Sequence, residues 1–202
     1  MTDYFALLCQ PRRPWLEPEA IKQRFLSLSA EAHPDRVHSG TEAERQAAHQ
    51  RFAEFNTAHA CLREPRDRLR HLLELELGSK PPELHEIPPD LAGLFMKIAG
   101  DCREVDQFLL GRGKVTSPLL LAQRFGPGQE WSEKLIALQK GVLEQRDQLL
   151  SKLKATDAGW TAAMPPPARA NALRELETIY RLLGFFGRWA GQLQERVVRL
   201  AG

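Results

Sequence analysis

Residues 18–36 read PEAIKQRFLSLSAEAHPDR, and this stretch decides how the N-terminal part of the chain folds. Its apolar residues recur at intervals of four, three and four: they are Ile21, Phe25, Leu28 and Ala32. That spacing places them on one face of a helix. Pro18 suits the first turn of the helix, and Pro34 ends it because it disfavours helical backbone at His33. The stretch predicts an amphipathic helix that leads into a short exposed loop.

The composition of the whole chain favours the same kind of structure. Its 202 residues include 31 leucines and 23 alanines, but only 11 valines and isoleucines together. Leucine and alanine favour helices, whereas β-branched residues favour strands. We therefore expect an all-α fold.

The fourteen prolines mark the expected divisions of this helical chain. A proline inside a helix costs about 3 kcal/mol, so we expect all of them to lie between helices. Residues 78–89 contain four prolines and predict a linker. The predicted domains are residues 1–77, the linker 78–89, and residues 90–202.

Three further helices are predicted before the linker. A short one covers residues 4–8. The next starts after Thr41, where Glu44 completes a capping box, and it ends before Pro65. The last begins at Pro65. His59 lies on the apolar stripe of the second of these helices, where we expect it to be a core residue.

Beyond the linker, three long runs of periodic apolar residues begin at Leu91, Leu135 and Leu173. The third run is close to a heptad repeat, and three such helices pack most simply as a bundle. Residues 111–129 contain several glycines and two prolines, and they predict a connection between the first two helices of the bundle.

Charge and composition exclude several classes of protein. The 28 basic and 26 acidic side chains give a net charge of +2. This charge is too small for electrostatic attraction to the phosphates of a nucleic acid to dominate the binding energy. The three cysteines form no C-x-x-C pair, as is typical of a reducing compartment. We expect no signal peptide and no membrane span. The expected location is the cytoplasm.

Catalytic and metal sites are not predicted either. The six histidines include no H-E-x-x-H motif, and the glycine-rich segments lack the lysine of a phosphate-binding loop. No serine or cysteine stands in a nucleophile elbow. We expect neither an enzyme, nor a metal site, nor a cofactor.

The triplet His33-Pro34-Asp35 has two interpretations: a solvated loop that breaks a helix, or a contact site. Its surroundings favour contact, because they resemble a J-domain, the module that stimulates ATP hydrolysis by DnaK-type chaperones. The residues that carry the resemblance are DYFALL at 3–8, FLSL at 25–28, HPDR at 33–36, FAEFNTA at 52–58 and LREP at 62–65. They follow one another in the order and spacing of that family.

The sequence that follows resembles the HscB branch of these proteins. It reads RLRHLLEL at residues 68–75, and WTAA at residues 160–163 precedes the last predicted helix. The resemblance implies a J-domain followed by a three-helix bundle that binds a client, an iron–sulfur scaffold protein. The pair of C-x-x-C motifs that the human type carries at its N-terminus is absent from this chain.

The resemblance also implies the chaperone-binding residues. His33, Pro34 and Asp35 would engage the chaperone, with Arg36 in place of the usual lysine. Lys22 and Arg24, on the helix before the loop, would meet an acidic face of the chaperone. The alternative for these two cations is a solvated helix face.

The client-binding surface implied by the resemblance lies on the first bundle helix. Its predicted residues are Phe95, Met96, Asp101 and Glu104. Phe95 and Met96 could instead belong to the bundle core, and adjacent helical positions point about 100° apart. Because Leu91, Leu94 and Ile98 already define an inward stripe, we expect Phe95 to be the exposed anchor.

The predicted function is a co-chaperone that stimulates a DnaK/HscA-type ATPase and delivers an iron–sulfur scaffold protein. One alternative keeps the J-domain with an unrelated client. Another is a helical adaptor with an inactive J-domain. Nucleic-acid binding ranks last, since aromatic residues are not interleaved with a basic patch.

Overall fold

A computed structural model describes residues 2–33, 35, 40–82, 86–112 and 118–201; the side chains of residues 112 and 118–124 are not described. Every regular element in these ranges is helical, which confirms the all-α prediction. The α-helices are α1 (Tyr4–Leu7), α2 (Pro18–Glu31), α3 (Glu42–Arg63), α4 (Pro65–Leu77), α5 (Ala92–Arg112), α6 (Pro118–Ala158) and α7 (Pro166–Ala201). A 3₁₀ turn, Pro89–Leu91, precedes α5.

The N-terminal helices begin and end where local chemistry predicts. Pro18 occupies the first turn of α2. The Thr41 N–H donates to Glu44 Oε2 at 2.7 Å and the Glu44 N–H donates to Thr41 Oγ1 at 3.3 Å, so the predicted capping box is present at the start of α3. Gly78 ends α4 in the left-handed conformation, with φ of 71°, a conformation that glycine adopts without a steric penalty.

Helix α6 differs from the prediction for residues 111–129. The helix already begins at Pro118, and Pro127 lies inside it, so the expected connection and the expected exclusion of prolines from helices are both wrong here. A helix tolerates an internal proline when packing offsets the lost hydrogen bond. Gly128 is buried and its backbone faces the Phe108 ring of α5, so this turn of α6 packs closely on its neighbour.

The chain packs as two compact units. One comprises Met1–Pro82 and Leu150–Tyr180, and the other comprises Glu83–Leu149 and Arg181–Gly202. This division differs from the predicted one at residues 78–89, because the end of α6 and the start of α7 pack with the N-terminal helices.

Each unit has its own apolar core. In the first unit the buried residues include Phe5, Ile21, Phe55, Leu62, Leu69 and Leu72. In the second unit α5, α6 and α7 enclose a core that includes Ile98, Val105, Leu135, Val142, Phe186 and Trp189. The predicted three-helix bundle is therefore present.

Candidate functional site

The loop after α2 exposes a histidine and a carboxylate. The side chain of His33 is 47% exposed and that of Asp35 is 89% exposed. His33 Nδ1 accepts a hydrogen bond from the Asp35 N–H at 3.3 Å and lies 3.5 Å from Asp35 Oδ2. The His33 ring also packs edge-on against Phe52 of α3, with ring centroids 5.6 Å apart. Pro34 and Arg36 lie outside the described residues.

Ring stacking holds α2 and α3 together below this loop. Phe25 of α2 and His59 of α3 stack with their ring centroids 4.1 Å apart and their planes 9° apart. Burial lowers the pKa of His59, and the charge of Arg63 lowers it further. Both effects favour the neutral ring, which can lie against phenylalanine without a desolvated charge. His59 was expected to be a core residue; it is half-buried and packs against the Phe25 ring at the edge of the core.

The two predicted cations of α2 have different surroundings. Lys22 is exposed, and its Nζ lies 3.8 Å from a carboxylate oxygen of Glu19. Arg24 is only partly exposed, and a hydrogen bond to the Cys9 side chain raises its pKa. Residues two apart on a helix do not face the same way. Lys22 is consequently the more accessible of the two cations.

Sequence reasoning missed Leu26, which is 49% exposed one turn beyond Lys22. The two residues are four apart and therefore neighbours on the outer face of α2. A leucine outside the Ile21–Phe25–Leu28 stripe was the signal that could have identified it. Together, Lys22, Leu26 and the His33–Asp35 pair offer a cation, an apolar group and a carboxylate along one helix and its following loop.

A buried histidine fixes α1 to the rest of this unit. The Tyr4 N–H donates to His71 Nε2 at 3.0 Å, and the His71 ring stacks on the Tyr4 ring at 4.5 Å. Burial lowers the pKa of His71, so the ring remains an acceptor at neutral pH. Asp3 caps α1 by accepting hydrogen bonds from the N–H groups of Phe5 and Ala6.

A buried arginine supports the segment between α1 and α2. Arg68 donates to the carbonyl oxygens of Pro14 at 3.0 Å and Leu62 at 2.6 Å, and its guanidinium lies over the Trp15 ring. Burial lowers the pKa of Arg68 to about 10. Arg68 belongs to the RLRHLLEL motif at residues 68–75. Its role in the structure comes from its hydrogen bonds to the backbone carbonyls of Pro14 and Leu62, which the motif does not reveal.

Of the predicted client residues of α5, Asp101 is buried, Phe95 is half-buried, and Met96 and Glu104 are exposed. Phe95 packs on the core of the second unit, with its ring centroid 6.3 Å from that of Trp189. Asp101 is buried and its Oδ1 lies 2.8 Å from Lys134 Nζ. Met96 is 68% exposed, and Glu104 is exposed as well. The expected anchor is therefore reversed, because Met96 rather than Phe95 faces outward.

The described part of the chain contains neither a cluster of metal ligands nor a membrane-spanning helix. Within it, no three His, Cys, Asp or Glu side chains are grouped so that they could hold a metal ion. The candidate residues His33 and Asp35 are both exposed at the surface of the first unit. None of the helices in the described ranges is both long and apolar enough to cross a bilayer.

Comparison with solved structures identifies the fold. The chain is similar to the human co-chaperone protein HscB, with 18% identity, a TM-score of 0.55, and 98% of this chain and 81% of that chain covered. It is also similar to chaperone HscB from Vibrio cholerae, with 22% identity, a TM-score of 0.43, and 95% and 99% covered. No family model matches the sequence. The chain has an HscB-like fold, as the resemblance in its motifs implied.

Proposed function

We propose that this chain is a J-domain co-chaperone that stimulates the ATPase of a DnaK/HscA-type chaperone and delivers a client to it. The observation that carries the proposal is the exposed His33–Asp35 pair, held at the turn between α2 and α3 in a chain with an HscB-like fold. The proposal divides the chain into a J-domain at 1–77, a linker at 78–89 and a client-binding bundle at 90–202. It places the protein in the cytoplasm.

The proposed role requires contact and no chemistry by this chain itself. A co-chaperone accelerates its partner only by binding an activated conformer, or the transition state, better than the resting state. The side chain of Asp35 is 89% exposed, so a donor on the chaperone can reach its carboxylate. We assign His33, Pro34, Asp35 and Arg36 to that contact.

The cations of α2 have a different proposed role. Lys22 and Arg24 would steer the protein toward an acidic face of the chaperone, since exposed charges act mainly on association rates. Leu26 lies beside Lys22 and would add an apolar contact at the same surface. Arg24 is only partly exposed, so its contribution would be the smaller one.

The proposed client is an iron–sulfur scaffold protein, and the bundle face that would bind it is α5. Met96 and Glu104 are exposed there, whereas Phe95 and Asp101 support the bundle from within. One observation favours the alternative in which the J-domain protein delivers an unrelated client. The internal ion pair with Lys134 removes Asp101 from the surface, which leaves this face with few carboxylates.

The test is single-turnover ATP hydrolysis by a DnaK/HscA-type chaperone in the presence of the full-length protein. We expect stimulation by wild type, its loss in Asp35→Asn, and unchanged stimulation in Asp90→Asn, which removes an exposed carboxylate from the second unit. Circular dichroism would establish that both variants fold. Full stimulation by a folded Asp35→Asn variant would refute the J-domain assignment.

A further inference from the structure

Helix α5 has a second seam, on the side away from the core. Its residues follow the spacing 4, 3, 4, 3 of a coiled-coil interface; we call Met96, Gly100, Arg103, Gln107 and Leu110 the outer seam. Met96 and Leu110 are 68% and 66% exposed, and Arg103 and Gln107 are also exposed. A helix face with this spacing fits another helix laid along it.

Arg103 occupies the middle of the outer seam. It lies seven residues from Met96 and seven from Leu110, about 10 Å along the helix axis from each. No carboxylate in the described part of the chain pairs with it. Of the nearby acids of α5, Asp101 pairs with Lys134 and Asp106 pairs with Arg196 at 2.6 Å. Glu104, next to Arg103 in the chain, is exposed about 100° further around the helix, and the described residues show no ion pair between the two. An unpaired cation between two exposed apolar residues favours a partner that brings a carboxylate.

Gly100 leaves a notch between Met96 and Arg103. A Cβ atom added at this position would meet nothing within 4 Å. A glycine on a helix surface has no side chain, so another backbone can approach it closely. The notch thus fits a side chain or backbone turn of a helix that packs against the outer seam.

We propose that the outer seam docks a helix of another protein, with a carboxylate opposite Arg103 and apolar residues opposite Met96 and Leu110. This inference rests on the proposed function, because it specifies the client chemistry of the same bundle face. It states what the partner must present: an acidic residue with an apolar residue two helical turns away on each side.

The charge at the centre of the seam opposes pairing with a second copy of this chain. In an antiparallel pairing, Met96 would face Leu110 and Arg103 would face Arg103. In a parallel pairing in register, Arg103 again faces Arg103. Like charges directly opposite each other in an interface oppose association. The seam therefore fits a different chain that carries the complementary charge.

The test uses two synthetic peptides and the full-length protein. Each peptide is a 21-residue helix with hydrocarbon staples on its outer side and leucines at positions 4 and 18; position 11 is Glu in one and Lys in the other. Fluorescence anisotropy measures both affinities. We expect the Glu peptide to bind wild type about tenfold more tightly than the Lys peptide, a difference of about 1.4 kcal/mol. Arg103→Glu should reverse the preference, whereas Arg188→Glu, an exposed cation on α7, should preserve it.

A second pair of variants tests the notch. Gly100→Leu should weaken binding of the Glu peptide at least fivefold, because the new side chain fills the space that the partner occupies. Gly191→Leu is the matched control, since Gly191 is exposed on α7 and also has nothing within 4 Å of an added Cβ. It should leave the affinity unchanged.

Several results would overturn the proposal. Equal affinity of wild type for the two peptides would do so, as would a preference for Glu that survives in Arg103→Glu. Binding to phosphatidylglycerol vesicles without discrimination between the peptides would assign the face to a membrane, and dimerisation through α5 would assign it to a second copy. If wild type stimulates the chaperone but does not discriminate between the peptides, only the seam proposal fails. If it discriminates without stimulating the chaperone, only the proposed function fails.

Discussion

Arg13 and Asp157 are 144 residues apart in the chain and form a two-point ion pair. Arg13 Nε donates to Asp157 Oδ1 at 2.9 Å, and a second guanidinium nitrogen donates to Oδ2. The same Oδ1 accepts the Trp15 N–H at 2.9 Å, and Trp160 Nε1 donates to the Arg12 carbonyl at 3.1 Å. The end of α6 thereby holds the segment that leads into α2, the helix that carries the candidate site.

The first prediction concerns this ion pair. Asp157→Ala should lower the free energy of unfolding by about 1–3 kcal/mol, because it removes the carboxylate that accepts hydrogen bonds from the Trp15 N–H and the Arg13 guanidinium. Urea denaturation measures the change. Arg12→Ala is the control, since Arg12 pairs with Asp3 at an exposed site and should cost no more than about 1 kcal/mol.

A double-mutant cycle would isolate the interaction itself. We expect Arg13→Ala and Asp157→Ala to show a coupling energy above about 0.5 kcal/mol, the range found for residues in direct contact. Strictly additive effects of the two changes would show that the segment before α2 is held by other contacts.

The second prediction concerns pH and His71. Burial lowers the pKa of His71 in the folded protein, so the unfolded chain takes up this proton more readily as the pH falls below about 6.5. The contribution of neutral His71 to stability is therefore present at neutral pH and is lost progressively below that value. Asp3 and Glu74 act to raise this pKa, whereas Arg70 and Arg12 act to lower it.

NMR titration of the His71 ring checks this prediction, with an expected midpoint below 6.5. Protonation also removes the Nε2 acceptor, so hydrogen exchange of the Tyr4 amide should accelerate over the same pH range. His71→Phe should reduce the loss of stability between pH 7 and pH 5, since the ring no longer titrates. A midpoint at or above 6.5 would contradict the prediction.

The third prediction concerns steering by α2. Lys22→Glu should slow association with the chaperone and flatten the dependence of that rate on salt, because exposed charges are screened over about 10 Å at 0.1 M ionic strength. Arg24→Glu should have the smaller effect, as Arg24 is partly buried beside Cys9. Stopped-flow measurements at low and high salt give the rates.

Lys140→Glu provides the matched control for that experiment, since it makes the same charge change on an exposed residue of the second unit. An equal slowing by Lys22→Glu and Lys140→Glu would show that net charge, rather than a local surface on α2, governs association.

The fourth prediction separates Phe95 from Met96. Phe95→Ala should destabilise the protein by about 2–4 kcal/mol, below the full cost of a buried phenylalanine, because its ring is partly exposed while packing toward Trp189. Met96→Ala should change stability by less than about 0.5 kcal/mol, as is usual at exposed positions. Thermal denaturation of both variants would test this, and equal losses would contradict the burial of one and the exposure of the other.

The features that the sequence predicted correctly depend on neighbours within about one helical turn. The capping box joins Thr41 to Glu44, and Pro18 begins α2. Interactions between residues three or four apart are present whatever the chain does elsewhere. The helices before the linker could therefore be located from residue types alone.

What only the tertiary structure decided depends on residues far apart in the chain. Phe95 is covered because α7 brings Trp189 to its side of α5, and a helix in a three-helix bundle has two neighbours and a wider buried arc than one apolar stripe predicts. Pro127 is accommodated within α6, where Gly128 packs on Phe108. The partners of Asp157 and Arg68 are equally distant in sequence. Local pattern fixed the helices before the linker and the exposed His33–Asp35 pair, whereas packing decided the extent of α6 and which side chains of α5 are exposed.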